Sequence, residues 1–272
     1  MLTLLKSAPL SAKIGISIVV LNVLVAIFAP LISPFGETQV VGEVWEPMSD
    51  QFYIGTDHIG RDLFTRMVYG ARNTMALAFI TTFLSFTLGS SLGFIAAIKG
   101  KWIDQLLSRA VDVIMAFPTL IFALMVLSVL GSSIPVLVFT IALLDSTRVY
   151  RLSRAVAMDI EVMDFVEAAR LRGEGSWWIM TQEILPNALP PLVAEFGLRF
   201  CFVFLFIASL SFLGLGIQPP LADWGGMVRE NAGAITFGIF TPLIPAAAIA
   251  LLTVGVNLIV DWFLHLSSGL HD

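Results

Sequence analysis

Glu195 and Arg199 stand four residues apart inside a long apolar run, and charges placed there have few uses. At membrane depth each is expensive unless it is paired or faces water. On a helix the i, i+4 spacing lets the two neutralise each other along one face, or line an aqueous path where a polar or zwitterionic solute meets both signs. Both uses stay open. Asp145, Arg148 and Asp261 lie nearer the ends of other apolar runs, close enough to a membrane surface to snorkel, so a structural role is expected for them. A second polar group is Gly55-Thr56-Asp57-His58-Ile59-Gly60-Arg61-Asp62, in which the two glycines permit tight turns and Asp57, Arg61 and Asp62 could close a charged knot. His58 and Asp62 as metal ligands would need further ligands that the stretch does not offer, so no metal site is expected.

Catalytic chemistry finds little support. No G-x-x-x-x-G-K-[ST] phosphate loop occurs, so the chain itself should not hydrolyse ATP. Cys201 is the lone cysteine and His58, His265 and His271 are scattered, which excludes an internal disulfide and leaves no zinc spacing. No nucleophile or acid–base pair suggests a membrane-embedded enzyme.

The elements that hold these residues are membrane spans. Of 272 residues 57% are hydrophobic and 13% charged, outside the range of soluble domains. Apolar runs at 14–32, 74–98, 111–130, 134–149, 192–215 and 241–264 predict six spans. The first follows Lys6 and Lys13 and is too long for a secretory signal core, so a retained span is expected. Pro118 should kink the third. With the N-terminus inside, Lys6, Lys13, Lys99, Lys101, Arg109, Arg148, Arg151, Arg154, Arg170 and Arg172 fall on the cytoplasmic side, and only Arg61, Arg66, Arg72 and Arg229 outside. That asymmetry predicts cytoplasmic termini, with the short 1–13 segment inside and loops 33–72 and 216–239 outside. Gly89, Ser90, Ser91 and Gly93 in one span, and Ala246, Ala247, Ala248 and Ala250 in another, should let helices approach closely. Phe200, Phe202, Phe204 and Phe206 should spread around a helix toward lipid or another subunit, and Trp224 and Trp262 should anchor at the interface.

The 151–187 segment holds the longest strongly polar interval of the C-terminal half, Asp164 to Pro186. Asp164 with Glu167 three residues on predicts a capped helix that Gly173 can end. Phe165, Ala168 and Ala169 should share one face, with Glu167, Arg170 and Glu174 on another. A second helical stretch, 177–184, follows, and Pro186 should let the next segment leave at a new angle.

Glu167-Ala168-Ala169, Gly173 and Ile184-Leu185-Pro186-Asn187 together resemble the "EAA" coupling motif of the permease subunits of ATP-binding-cassette importers. The Gly55–Asp62 run (Gly55, Thr56, Asp57, Gly60, Arg61, Asp62) and the run Ser211-Phe212-Leu213-Gly214-Leu215-Gly216 with Trp224-Gly225 are similar to the dipeptide/oligopeptide/nickel branch. The resemblance spans Gly55 to Gly225. It implies an all-α membrane protein, a single six-span permease domain over 1–272, with a cytoplasmic coupling helix between spans four and five. Asp164, Glu167, Ala168, Ala169, Arg170, Gly173, Ile184, Leu185 and Pro186 would meet a cleft on a separate ATPase. It further implies a second homologous permease chain, two cytosolic ATPase subunits that hold ATP and magnesium, an extracytoplasmic solute-binding protein, membrane lipid and no nucleic acid, all at a bacterial cytoplasmic membrane. The chain itself would carry no cofactor. Peptides are the expected cargo, with nickel or a metallophore complex as the alternative and an ion-gradient-driven transporter as the competitor from another class; inverted halves, which would favour the latter, are not evident.

Overall fold

The computed structural model describes residues 8–267; Lys6 and His271 lie outside the described residues. Apart from isolated β-bridges at Val40 with Arg61 and Thr56 with Asp62, the regular elements described are helical. In chain order the α-helices are α1 (Leu10–Ile27), α2 (Ala29–Ile32), α3 (Leu63–Lys99), α4 (Lys101–Met115), α5 (Thr119–Leu130), α6 (Ile134–Glu161), α7 (Asp164–Leu171), α8 (Ser176–Trp178), α9 (Leu185–Phe212), α10 (Trp224–Glu230) and α11 (Leu243–Ser267). A π-helical turn, Ile179–Ile184, joins α8 to α9, and a 3₁₀ turn, Ala232–Phe237, follows α10.

Among the described residues four helices are long and apolar enough to cross a bilayer: Leu10–Ile27, Leu63–Lys99, Ser176–Phe212 and Leu243–Leu266. A fifth span results if α4 and α5 count together, although they are bent by 83° around Pro118. Proline cannot donate the helical hydrogen bond and crowds the preceding turn, so the break falls where the sequence places it. α6 has 28 residues, but Asp145 sits near its middle and Arg148, Arg151 and Arg154 run along its second half.

The chain divides into two compact units. The first holds the chain up to Phe79, Leu127–Leu137 and everything from Phe200 onward; the second holds Ile80–Val126 and Val138–Arg199. In the first unit α1 packs on α11 where two glycines meet. A Cβ on Gly15 would stand 2.6 Å from the Gly255 carbonyl oxygen, and one on Gly255 2.8 Å from Ile18. Small residues let helix backbones approach this closely, and lipid offers no other strong force to hold them. On α11 the contact is made by Gly255, while Ala247 and Ala250 of the expected alanine cluster are exposed. Gly15→Leu should therefore free α1 from α11, read as loss of a disulfide between cysteines engineered along that seam. An unchanged cross-link would refute the close approach.

Phe200 stacks on Phe204, with ring centroids 6.0 Å apart, and both are buried; Phe204 also meets Trp224 edge to face. Half of the phenylalanine set expected to face lipid or another subunit thus forms core. Trp224 is also buried rather than an interfacial anchor, its indole N–H donating to the Met67 carbonyl at 3.0 Å. The reason is local: Asp223 caps α10 by accepting from the Gly226 N–H at 2.7 Å, which turns the next side chain inward. Burial pushes the Asp223 carboxyl up to about 6, against the pull of the N–H groups and hydroxyls that it accepts. In the second unit Gly89 and Gly93 admit α6 closely, a Cβ on Gly89 standing 2.6 Å from the Ser146 carbonyl oxygen and one on Gly93 2.8 Å from that of Tyr150.

Candidate functional site

In the second unit, α7 begins with Met163 in extended conformation as its N-cap and with no side-chain cap hydrogen bond. Asp164 is therefore the first helical residue and not the cap, and the expected capping box does not form. Asp164 and Glu167 still sit in the first turn, where the helix dipole favours negative charge. The helix ends as expected at Gly173, whose φ of +86° suits glycine. The Glu174 N–H donates back to the Ala169 carbonyl and the Gly173 N–H to Arg170, a Schellman closure.

What holds α7 in place is a pair of side chains three residues apart. Val166 and Ala169 are fully buried against Phe94, Ala97, Ala157, Ile160, Ile179, Ile184 and Ala188. Ala169 is thus turned inward, away from the exposed Ala168 and Phe165, and Ile184 is core as well. The difference from the expected face is a rotation of about a quarter-turn, which hydrophobicity alone could not resolve because alanine suits either side. Outward point Glu167, Ala168 and Phe165. Around them Leu171 is 84% exposed, Val162 81% and Trp177 73%. So much bare apolar surface beside a short polar helix marks an interaction face.

Both flanks of α7 are braced. Arg170 pairs with Glu161 at the end of α6, and Arg172 lies 3.7 Å from Glu183 with its guanidinium over the Trp178 ring. Arg170 is therefore engaged within the chain, whereas Glu167 has no ion-pair partner among the described residues. Beyond α8 the chain does not turn off at Pro186. It runs on as one helical rod, Ser176–Phe212, because the wide π turn relieves the proline clash: the Leu185 N–H reaches back five residues to Met180. Leu185 and Pro186 lie exposed on that rod, which also carries Pro190 and Pro191.

Along α9, Glu195 and Arg199 form an ion pair at 2.7 Å. Arg199 also donates to Asp145 on α6 at 3.5 Å, and the Ser85 hydroxyl of α3 donates to the other Asp145 oxygen at 2.8 Å. Asp145 is only 2% exposed, so it does not snorkel; Arg199 and Ser85 satisfy it in the interior, which nothing in the spacing of residues sixty apart could announce. Glu195 and Arg199 remain partly accessible. Asp261 is exposed.

The first unit holds a separate charged cluster. The Asp57 carboxylate accepts from the Arg61 side chain at 2.7 Å and from the backbone N–H groups of Ile59 and Arg61. Arg66 lies 3.3 Å from the same oxygen. Glu230 of α10 receives both guanidiniums, from Arg61 at 3.0 Å and Arg66 at 2.9 Å. The knot therefore comprises Asp57, Arg61, Arg66 and Glu230, two charges of each sign. Asp62 is not in it: its carboxylate accepts from the Thr65 N–H at 2.8 Å and starts α3. Gly55 and Gly60, both at φ +83°, let the loop pass within touching distance of the Glu46 and Gly42 carbonyls. Thr56 bridges Glu43 and Glu46. Asp57, His58 and Glu230 do bring ligand atoms within 4.8 Å of one another. A cation there would have to displace two guanidiniums from the same oxygens, so the donor set suits ion pairing and not a metal. Glu230 and Arg66 gave no sequence signal as partners, being 164 residues apart.

Asn231 extends this connection, accepting from the Trp45 indole N–H at 3.3 Å and from the His58 N–H at 3.0 Å. Glu37 does likewise, accepting from Asn73 and from the Ala222 N–H. The long connection between α2 and α3 is thereby tied to the segment around α10.

The family described as binding-protein-dependent transport system inner membrane component matches residues 89–268. The dipeptide transport system permease protein DppC of Alkalihalophilus pseudofirmus is 36% identical over 252 residues, 92% of this chain and 83% of that one. DppC of Haemophilus influenzae is 32% identical, covering 92% of this chain and 87% of its own length. The di/tripeptide permease DppC of Pseudomonas aeruginosa is 32% identical, covering 91% and 84%. Among solved structures, an amino acid ABC transporter with histidines aligns with a TM-score of 0.52 and 25% identity, over 74% of this chain and 93% of that one. The MetNI methionine ABC transporter, in inward-facing conformations, aligns with 0.54 and 18%, over 79% and 99%, which speaks for the fold alone.

Proposed function

Since the chain belongs to the family of binding-protein-dependent transport system inner membrane components, as a permease of the dipeptide/oligopeptide type of ATP-binding-cassette importer, we propose that it carries small peptides across a bacterial cytoplasmic membrane. The relatives named above are permeases for dipeptides or di/tripeptides, which favours peptides over nickel. In this reading α6 joins the apolar helices to make six spans, both termini are cytoplasmic, and α7 is the coupling helix. A second permease chain, two ATPase subunits that bind ATP and magnesium, and an extracytoplasmic binding protein complete the machine. This chain hydrolyses nothing.

The observation that supports α7 in this role is its split personality. Val166 and Ala169 lock it into the second unit, and Glu167, Ala168, Phe165 and Leu171 are exposed on its outward side. A helix pinned on one side and bare on the other passes a push from a docked subunit into the bundle as a rigid body. The braces from Arg170 to Glu161 and from Arg172 to Glu183 stop it from rolling. Gly173 closes its last turn, and the π turn at Ile184 before Leu185 and Pro186 lets the same rod carry the movement into the membrane. The test is uptake of labelled dipeptides and tripeptides into proteoliposomes containing the assembled importer. Uptake should require ATP and survive a protonophore. Uptake without an ATPase subunit, lost with the protonophore, would refute the reading.

Glu195 and Arg199 are proposed to line the pathway, where a zwitterionic peptide would find both signs. Glu195→Gln removes one charge of the pair and should preserve assembly, since Arg199 keeps its contact with the buried Asp145 and Asp145 its bond from Ser85. Peptide uptake should nonetheless fall about tenfold or more, the equivalent of one lost charged contact. Uptake at the wild-type rate would assign the pair to packing only.

A further inference from the structure

Between α9, α10 and α11 of the first unit runs a groove of about 410 Å³. That lies within the size range of ligand sites, about 300–1,000 Å³. Its walls are Leu205, Ala208, Phe212 and Leu213 of the α9 end, Val228 of α10 and Ile249 of α11. The hydroxyl in the lining, Ser209, is spent within its own helix on the Leu205 carbonyl. The groove follows the end of α9 from Leu205 to Leu213, eight helical steps and so roughly 12 Å. It ends where the helix ends, at a Schellman closure on Gly214, with the Leu215 N–H donating to the Leu210 carbonyl.

At that end stands Arg229. It follows Val228 of the groove wall, and its guanidinium lies flat on Gly214, so close that a Cβ there would come within 2.9 Å of the guanidinium carbon. Gly214 at φ +89° thus makes room for a cation at the rim. Arg229 is exposed and has no ion pair and no acceptor among the described residues. The neighbouring acid, Glu230, is already taken by Arg61 and Arg66. A mostly apolar trough along a spanning helix, with one unspent guanidinium at its mouth where the helix gives way to polar loop, matches one class of molecule: an acyl chain with a phosphate at its end. Guanidinium suits phosphate by its planar fork, and the trough offers a chain nothing but hydrocarbon.

We infer that this groove is a phospholipid site, with an acyl chain along Leu205 to Leu213 and the lipid phosphate on Arg229. The groove is built from residues of the first unit, whereas α7, Glu195 and Arg199 belong to the second, and the inference does not depend on which solute the protein carries. The seat would fill the space between α9 and α11 and tie α10 to the membrane surface.

The test uses the full chain with its copurifying subunits in nanodiscs containing phosphatidylglycerol, with diacylglycerol, which has the chains without the phosphate, in a parallel set. Lipids retained after extraction are counted by native mass spectrometry. Wild-type protein should keep one phosphatidylglycerol and about tenfold less diacylglycerol, the size of one charge-assisted hydrogen bond. Arg229→Gln should lose phosphatidylglycerol by a similar factor and Arg229→Lys should keep it, while Ser209→Trp, which fills the trough, should lose both lipids. A photo-crosslinker at position 209 should label lipid. Equal retention by wild type, Arg229→Gln and Ser209→Trp would overturn the proposal. So would crosslinking of position 209 to a helix of another protein chain, which would make the trough a subunit seam.

Discussion

Glu167→Lys is expected to lower recovery of the ATPase subunits with this chain by roughly 10- to 100-fold, the range spanned by hydrogen bonds to charged groups. Membrane insertion should not change. Glu167 is exposed and without an ion-pair partner among the described residues, so reversing its charge disturbs none of their ion pairs, while the side chains that hold α7, Val166 and Ala169, point the other way. Any effect must then come from outside the molecule. Asp159→Lys makes the same charge change at an exposed acid on α6 and serves as control; it should leave recovery as in the wild type. Affinity capture of the tagged chain from membranes, with ATPase quantified against permease, reads both. Wild-type recovery with Glu167→Lys would remove α7 from the docking surface.

The second large effect concerns the knot between the loop before α3 and α10. Glu230→Gln leaves Arg61 and Arg66, both almost fully buried, sharing the single carboxylate of Asp57. An uncompensated buried charge should destabilise the first unit by about 3 kcal/mol. The readout is a lower thermal midpoint of the purified protein and faster proteolysis within residues 33–62, which lose one of their ties to the segment around α10. Arg66→Met combined with Glu230→Leu removes one charge of each sign and keeps Asp57 with Arg61; it should recover most of the loss. If the double variant is no more stable than Glu230→Gln, packing and not charge balance holds the loop.

Much of the fold was legible because lipid imposes a severe rule: a spanning segment must satisfy its own backbone, so apolar length reports helix. Pro118 and the 83° bend, Gly173 and the end of α7, and Glu195 with Arg199 were readable for the same kind of reason, since each depends on residues within a turn or two of one another. Local rules misled where two side chains could serve equally. Asp164 offered a cap, but Met163 takes the N-cap position and no side chain caps the helix, and Asp62 was available to the knot but starts α3 instead. Pro186 would normally break a helix, yet the π turn behind it absorbs the clash.

By itself the sequence determined that this protein is a helical bundle in a membrane and that a short polar helix lies between two of its long helices. The tertiary structure alone decided which face of α7 is free, that Asp145 is held inside by Ser85 and Arg199, and that Glu230 closes the knot around Arg61 and Arg66. The physical reason is range. Hydrogen bonds within a turn and burial in lipid act on neighbours in the chain, whereas a buried charge takes whichever counter-charge the packing brings to it, and over 164 residues only packing makes that choice.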